Sequence, residues 1–410
     1  MERHRPLDRR LPQLKFPTPP SAMPHRTYKE IVMPNFDGVS RRRLLRTAGV
    51  LAGAGVGGSL IAACSPNGKA ARSSGGGSAS SESFDDAIKK IVNGKEIKVG
   101  FTPPVLSENF TQIEHAAWHR MNEYEQRFGC KWVWERQAPV GDFNAVQGTL
   151  GIVQSWVSRK FDAIAVCTGA NFATVQSLYR DATSKGVKIY QFNQPAELYP
   201  EDQLQTVTNV GYDNRWQSGY LAGKYIAEKL KGKGNILQIW GPSGSDWTRG
   251  RKIGFDRALA ENPGIKVVGQ ADGGYVRDKG FAAAQDLLTK NRDVNAIYGE
   301  NEEMALGASQ AIDTAGLKHW DGTDGVLTIG ADGLVSGYKQ IKAGKLTATV
   351  DIGGVDQGQN LIEAIFVTAV LGQSVTQIIN NPTQVVDKTN VDWHQSYTEW
   401  ALAAPKKYGA

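Results

Sequence analysis

Polar and aromatic side chains concentrate in six short segments of this chain, and each segment follows a predicted strand. The segments are Ser107-Glu108-Asn109-Phe110, Asn193-Gln194, 243–251, 272–275, Asn301-Glu302-Glu303 and Ala331-Asp332-Gly333. Together they supply amides, carboxylates, guanidinium groups and aromatic rings. Such groups can hydrogen-bond the hydroxyls of a sugar or polyol, while the rings pack against its C–H faces. Because an unpaired buried polar group is costly, a set of this kind also discriminates between similar ligands.

The sequence carries no motif of a catalytic centre. We find no G-x-S-x-G nucleophile turn, no cysteine–histidine signature and no phosphate-binding P-loop. Glu302 and Glu303 are adjacent at a predicted helix start, so their carboxylates point in different directions instead of flanking one bond. His115 and His119 stand four residues apart and could share a metal, but no third ligand occurs at motif spacing, which favours a solvated or interfacial pair. We therefore expect no enzyme activity, no metal and no other cofactor.

Short apolar runs alternate with longer amphipathic runs along the chain. This pattern predicts strands and helices, and these elements must position the six segments. The alternation extends through two successive series, which predicts two similar lobes of parallel sheet covered by helices. Ligands of such sheets bind beyond the carboxyl ends of the strands. The predicted strands are 97–101, 131–135, 163–166, 188–192, 235–240, 265–271, 296–299 and 325–330, and the predicted helices are 112–128, 143–159, 173–185, 215–231, 249–261, 277–290 and 302–316.

Several short motifs in this alternation resemble those of a known family. They are Asn301-Glu-Glu-Met-Ala-Leu-Gly307, Gly330-Ala-Asp332-Gly333, Gly344-Lys-Leu-Thr-Ala-Thr349, Asp213-Asn214, Asp356-Gln357 and Gly241 followed by Arg249-x-Arg251-x-x-Gly254-Phe255. Each motif is weak alone, but their order and spacing together are specific. From about Ile97 to about Asp392, the chain resembles the type I periplasmic sugar-binding proteins of the ribose-binding kind.

The resemblance implies two doubly wound α/β lobes joined by a three-crossover hinge that closes on a ligand. It implies crossovers near Gly211, near Asp351 and within 381–388. The corresponding lobes are 96–211 with 352–385, and 212–351 with 386–405. The implied function is capture of a monosaccharide or polyol and its delivery to an ABC permease. The alternatives are a ligand-presenting sensor for a membrane receptor, a binder of a signalling molecule and a carbohydrate-active enzyme.

The resemblance also assigns ligand-binding residues. Arg251 is expected to donate to two ligand oxygens, and the competing role of a helix-surface arginine suits Arg249 better. Asp332 is expected to accept from hydroxyls, or to serve only as a turn residue. Asn301 is expected to bind ligand, to cap a helix, or both. Trp247 has no counterpart in the family, and it supplies a stacking face or holds a loop in place. The other assigned residues are Asn109, Phe110, Asn193, Tyr275 and Asp351.

Three positions depart from the pattern of the ribose binders. Phe110 is followed by Thr111, where those proteins carry paired aromatic residues. Asn193-Gln194 stands in place of an Asp-Arg pair, and Ala331 in place of an aromatic residue. These changes argue against ribose itself, so a different pentose, a hexose or a linear polyol is also compatible.

Residues 1–63 have the features of an export leader. Ser40-Arg41-Arg42-Arg43-Leu44-Leu45-Arg46 resembles the twin-arginine signature, and the following apolar stretch is too short and Gly-rich for a membrane span. Ile61-Ala62-Ala63-Cys64 resembles a lipobox, whose cysteine receives lipid. Met33 would give a leader of ordinary length, and Gly/Ser-rich 64–95 is expected to form a flexible tether. We predict an exported, membrane-anchored lipoprotein of the periplasm or cell surface.

The basic charge of the chain lies in this leader. Residues 1–63 hold eleven Lys and Arg against four acidic residues, a net charge of +7, so the remainder sums to about −1 although the whole chain carries +6. We therefore expect no nucleic-acid partner, and we expect a monomer. Cys130 opens one predicted strand and Cys167 closes another, at opposite ends of the sheet, so both are expected to be free and buried.

Overall fold

The computed structural model describes residues 83–141, 143 and 145–409. The predicted leader, the predicted lipidation site Cys64 and most of the predicted tether lie outside these residues. Within the described part of the chain, no helix has the length and apolar character needed to cross a membrane.

Short strands alternate with helices along the described residues. The strands are β1 Glu96–Thr102, β2 Lys131–Arg136, β3 Ala163–Val166, β4 Lys188–Phe192, β5 Thr208–Gly211, β6 Lys233–Trp240, β7 Gly264–Asp272, β8 Ala296–Gly299, β9 Leu327–Asp332, β10 Ala348–Asp351, β11 Ile378–Asn380 and β12 Gln384–Asp387. The α-helices are α1 Phe84–Val92, α2 Glu108–Phe128, α3 Val146–Ser158, α4 Gln176–Ser184, α5 Tyr220–Lys229, α6 Asp246–Ala260, α7 Arg277–Lys290, α8 Glu302–Thr314, α9 Val335–Lys342, α10 Gly354–Ile365 and α11 Val391–Leu402.

The strands form two six-stranded sheets, and each sheet is the core of one lobe. The N-terminal lobe has the strand order β11-β5-β4-β3-β1-β2, with every neighbouring pair parallel. The C-terminal lobe has the order β12-β10-β9-β8-β6-β7, in which only the β10–β12 pair is antiparallel. The chain passes between the sheets after β5, after β10 and between β11 and β12. The predicted fold class is confirmed.

The central strands are apolar along their whole length. β3 reads Ala-Ile-Ala-Val and β8 reads Ala-Ile-Tyr-Gly, and all their residues are buried. A parallel strand with helices on both faces has no solvent side, so its sequence shows a continuous apolar run instead of alternation. This is why the sequence predicted the bounds of both strands.

Two segments predicted as loops are the first turns of helices. α2 and α6 begin four and three residues earlier than predicted. Ser107 and Ser245 occupy their N-cap positions in extended conformation, and an acidic residue follows each, where it favours the positive end of the helix dipole. Asn109, Phe110 and Trp247 therefore lie on rigid helical turns, which limits the directions in which their side chains can point.

The folded domain begins earlier than predicted. α1 lies inside 64–95, the segment predicted to be a flexible tether. Ile88 and Val92 of α1 are buried, and Arg127 of α2 donates to both carboxylate oxygens of Asp85 at 2.8 Å. The Gly/Ser-rich composition ends before this helix begins. Ile88 and Val92 are four residues apart, so they share the face of α1 that packs against the domain.

Candidate ligand-binding site

A cavity of about 390 Å³ lies between the two lobes, beyond the carboxyl ends of their strands. This volume falls within the usual range for small-molecule sites. Eight of the nine side chains predicted to bind ligand line it: Asn109, Phe110, Asn193, Trp247, Arg251, Tyr275, Asn301 and Asp332. The first three belong to the N-terminal lobe and the others to the C-terminal lobe, so a ligand in the cavity would touch both lobes.

Arg251 is the most deeply embedded cation of the cavity. Its Nη1 donates to the carbonyl oxygen of Glu300 at 2.6 Å, and its Nη2 donates to the Tyr212 hydroxyl at 2.6 Å and to Asp332 Oδ1 at 3.0 Å. Three of its five N–H donors are therefore held by protein groups, and the buried Nε has no partner among the described residues. Arg249, by contrast, is half exposed and lies 3.4 Å from Asp246.

Asn301 caps a helix and also lines the cavity. Its Oδ1 accepts from the backbone N–H of Met304 at 3.0 Å, which caps α8. Its Nδ2 donates to the carbonyl oxygen of Tyr275 at 3.3 Å while the residue lines the cavity. The helix cap fixes the side chain, so its remaining hydrogen-bonding capacity is presented in one orientation.

Four aromatic rings, two from each lobe, form a wall of the cavity. The centroid of Trp247 lies 6.4 Å from Phe110, 6.1 Å from Phe143 and 6.0 Å from Tyr275, and Phe143 lies 5.5 Å from Tyr275. Tyr275 is held by hydrogen bonds of its hydroxyl with Thr248 Oγ1 and with Glu300 Oε2. The rings offer apolar faces of the kind that pack against ligand C–H groups.

Phe143 is a cavity residue that the sequence analysis missed. The predicted helix began at Phe143, whereas α3 begins at Val146 and leaves the aromatic ring in the preceding loop. The available signal was the glycine of Val140-Gly141-Asp142, which marks a turn directly before the aromatic residue.

Three buried polar atoms of the lining have no partner among the described residues. They are Asn109 Oδ1, Asn193 Oδ1 and Arg251 Nε. An unsatisfied buried polar group costs about 1–3 kcal/mol, so atoms of this kind mark places where a bound group can gain hydrogen bonds. Two acceptors and one donor match hydroxyl groups, because each hydroxyl both donates and accepts.

The charges of the lining are largely paired within the protein. Arg251 contacts Asp332, and Arg277 donates to both carboxylate oxygens of Glu303 at 2.7 and 3.2 Å. Asp278 adds a further carboxylate to the lining. Both guanidinium groups of the lining thus face carboxylates, and the described lining residues leave no unpaired cation for an anionic ligand.

The lobes contact one another on both sides of the cavity. On one side, Gln112 of α2 donates to the carbonyl oxygen of Gly333 at 3.1 Å and accepts from the N–H of Val335 at 3.2 Å. On the other side, Asp246 Oδ2 accepts from the N–H of Phe172 at 2.9 Å and from the hydroxyl of Tyr199 at 2.6 Å. These bonds describe a closed arrangement of the lobes.

Asp351, the ninth predicted residue, does not line the cavity. Its Oδ2 accepts from the hydroxyl of Tyr338 at 2.9 Å and lies 2.7 Å from His394 Nδ1, and its Oδ1 accepts from the N–H of Gly353 at 2.8 Å. Asp351 ends β10 where the chain leaves the C-terminal lobe, so its contacts stabilise that crossover.

The two histidines and two cysteines considered in the sequence have structural contacts or are buried. His119 Nε2 lies 2.8 Å from the carbonyl oxygen of Trp400, and His115 Nδ1 lies 3.2 Å from that of Leu402. Both histidines thus contact the C-terminal end of α11. Cys130 and Cys167 are buried, and burial raises the pKa of the Cys130 thiol to about 12.

The chain is similar in sequence to known solute-binding proteins. Residues 99–372 match the family described as periplasmic binding protein domain. The ribose import binding protein RbsB of Salmonella typhimurium is 36% identical over 144 residues, which are 35% of this chain and 46% of that protein. The chain thus matches about half the length of that relative. The xylitol-binding protein of Mycolicibacterium smegmatis is 26% identical over 73% of this chain and 80% of its own length.

A solved structure has the same architecture. It is an ABC transporter periplasmic solute binding protein from Actinobacillus succinogenes with bound D-allose. The two chains are 25% identical with a TM-score of 0.63, and the match covers 72% of this chain and 99% of the other. Two parallel-sheet lobes, a cavity between them and the match over residues 99–372 lead to one assignment. The chain belongs to the periplasmic binding protein domain family.

Proposed function

We propose that this protein captures a small, uncharged polyhydroxyl ligand between its lobes and delivers it to an ABC-type importer. The observation that carries the proposal is the cavity between the lobes, whose lining residues Asn109, Asn193 and Arg251 have buried polar atoms without partners among the described residues. A ligand that bonds these atoms touches both lobes at once. It therefore binds the closed arrangement more tightly than an open one and shifts the population towards closure.

The ligand class follows from the charges and the rings. Because the two guanidinium groups of the lining are paired with carboxylates, a phosphate or carboxylate ligand gains no free cation. Relatives named for ribose and xylitol, and a related structure with bound D-allose, support a monosaccharide or polyol. The protein acts by binding and release, without turnover.

Export and anchoring complete the proposal. The twin-arginine-like leader and the lipobox-like Ile61-Ala62-Ala63-Cys64 support an exported protein attached to the membrane through a lipid on Cys64. Delivery to an ABC permease is supported by relatives named as import or ABC transporter binding proteins. Labelled palmitate that is still incorporated into a Cys64→Ser variant would contradict the anchor.

Isothermal titration calorimetry with matched neutral and charged ligands tests the binding function. The neutral set is ribose, xylitol, D-allose and myo-inositol, and the charged partners are ribose 5-phosphate and glucuronate. We expect saturable one-to-one binding of at least one neutral ligand and none of the charged ones. Binding of the anions alone, or conversion of a bound sugar detected by mass spectrometry, would overturn the proposal.

Ligand affinity is expected to fall below about pH 6. Burial raises the pKa of Asp332 to about 6, against the lowering by Arg251. The protonated carboxyl no longer pairs with Arg251, so we expect about tenfold weaker binding at pH 5 than at pH 7.5, which corresponds to one pKa unit. Calorimetry at both pH values checks this, and an Asp332→Asn variant should bind weakly with little pH dependence.

The effect of Asp332 on folding has the opposite sign. Its pKa in the folded protein lies above the ordinary value of 3.8. Its contribution to stability is therefore full below pH 3.8 and is lost as the pH rises through 6. Urea unfolding over the same pH range separates the two effects, and an equal affinity at pH 5 and pH 7.5 would contradict the prediction for binding.

A further inference from the structure

Gln194 is a departure from the ribose-binding pattern, and its side chain is turned away from the cavity. Its Oε1 accepts from the backbone N–H groups of Thr168 and Gly169, both at 3.3 Å, and its Nε2 donates to the carbonyl oxygen of Ala170 at 2.9 Å. The residue is buried in the N-terminal lobe. Its side chain therefore fixes the backbone of the loop that follows β3.

This loop receives Trp247 from the opposite lobe. Gly169 has φ +68, and a Cβ added there would lie 2.7 Å from Trp247 Cζ3 and 3.1 Å from Cη2. The indole Nε1 of Trp247 donates to the carbonyl oxygen of Asn193 at 2.5 Å. Only glycine leaves space for the indole here, and Trp247 is 5% exposed. We name residues 168–170, Asn193 and Gln194 the tryptophan socket.

We propose that the tryptophan socket is a closure contact that strengthens ligand binding, with Gly169 and Gln194 as positioning residues. This inference rests on the proposed function. Trp247 and the socket lie on different lobes, so their contact exists only when the lobes close, and its free energy adds to that of the closed state. Because the seated indole is also a wall of the cavity, the socket determines where the ligand meets an aromatic face.

The tryptophan socket gives a role to Asn193 and Gln194, which stand in place of the Asp-Arg pair of the ribose binders. The side chain of Gln194 bonds the 168–170 backbone, and the backbone of Asn193 bonds the indole. Asn193 lines the cavity, and its Oδ1 is buried without a partner among the described residues. In this chain, Trp247 of the C-terminal lobe thus covers the edge of the N-terminal lobe where Asn193 and Gln194 lie.

Gly169→Ala tests the tryptophan socket, and Gly94→Ala is its matched control. Gly94 has φ +66 and no atom within 4 Å of an added Cβ, so both variants carry the same backbone strain, but only Gly169→Ala obstructs Trp247. We expect Gly169→Ala to bind any of ribose, xylitol, D-allose and myo-inositol that the wild type binds about fivefold or more weakly, because the lower end of the usual cost of overpacking corresponds to that factor. Gly94→Ala should bind like the wild type.

A double-mutant cycle shows whether the effect runs through the indole. In a Trp247→Ala background, Gly169→Ala should cause no further loss of affinity. A similar loss of affinity on Gly169→Ala in the wild-type and Trp247→Ala backgrounds would contradict the proposed closure contact. Equal affinities of Gly169→Ala and the wild type would also contradict it. Gln194→Ala, which removes three bonds to the loop without adding atoms, is the second variant should Gly169→Ala not fold. Its loss of affinity should also disappear when Trp247 is alanine.

A measurement without ligand separates this inference from the proposed function. Small-angle X-ray scattering of the ligand-free proteins should give a larger radius of gyration for Gly169→Ala than for the wild type and Gly94→Ala. Equal radii in all three, together with equal affinities for ligand, would overturn the tryptophan socket. Different radii in a protein that binds none of the four neutral ligands would support the tryptophan socket and contradict the proposed function.

Discussion

An Arg251→Ala variant is expected to bind its ligand at least about tenfold more weakly, because a hydrogen bond to a charged group contributes about 1.5–3 kcal/mol. Arg251 is 3% exposed and bonds Glu300, Tyr212 and Asp332 while it lines the cavity. The substitution removes the donor Nε and also releases Asp332 from its position. Calorimetry with the ligand identified in the neutral panel measures the loss.

Loss of folding must be separated from loss of binding in this variant. Arg251→Ala leaves the buried Asp332 without a cation, which is expected to cost about 3–5 kcal/mol of unfolding free energy. The double variant Arg251→Met/Asp332→Leu removes both charges and should recover stability without recovering affinity. Lys252→Ala, whose half-exposed ammonium pairs with Asp256 on the same helix, is the surface control and should change neither quantity by more than about 1 kcal/mol. Wild-type affinity in Arg251→Ala would contradict the site.

The second large effect is expected from Asp246→Ala, which removes a charged acceptor shared by two donors of the opposite lobe. Asp246 is 1% exposed, and its Oδ2 accepts from the Phe172 N–H and from the Tyr199 hydroxyl. Hydrogen bonds to a charged group contribute about 1.5–3 kcal/mol each. Because water replaces these partners when the lobes open, the substitution weakens the closed state selectively. We expect a dissociation rate about 10- to 100-fold higher.

Stopped-flow fluorescence measures this rate, and two variants serve as comparisons. Tyr199→Phe removes one of the two donors and should give a smaller increase than Asp246→Ala. Asp256 lies on the same helix, and its half-exposed carboxylate pairs with Lys252. Asp256→Ala should therefore leave the dissociation rate unchanged. An unchanged dissociation rate in Asp246→Ala, with the protein folded, would show that this contact does not limit opening.

The strands and the lobes were predictable because their physical causes are local. A strand with helices on both faces needs a continuous apolar run, and the predicted bounds of β3, β4 and β8 agree with the structure. The segments after parallel strands lie at one edge of a sheet, which is why eight of the nine predicted side chains reach one cavity. Helix starts were less accurate, because Ser107 and Ser245 precede first turns that resemble loops in composition.

The partners of these side chains depend on contacts between residues far apart in the chain. Arg251 bonds Asp332, Gln112 bonds Gly333, and Trp247 bonds Asn193, each across two elements or two lobes. No local pattern encodes such a contact, because it depends on how elements that are far apart in the chain pack together. The same holds for Phe143, whose ring enters the cavity only through the path of its loop.

The amino-acid pattern alone thus determined two α/β lobes and the residue types at their facing edges, because apolar periodicity and strand-end position are properties of neighbouring residues. The tertiary structure decided which of those side chains stay available to a ligand. It paired Arg251 with Asp332, turned Gln194 into the N-terminal lobe and placed Asp351 at a crossover outside the cavity. The reason is that hydrogen-bonding capacity is consumed by whichever groups the fold brings within about 3 Å, irrespective of their distance along the chain.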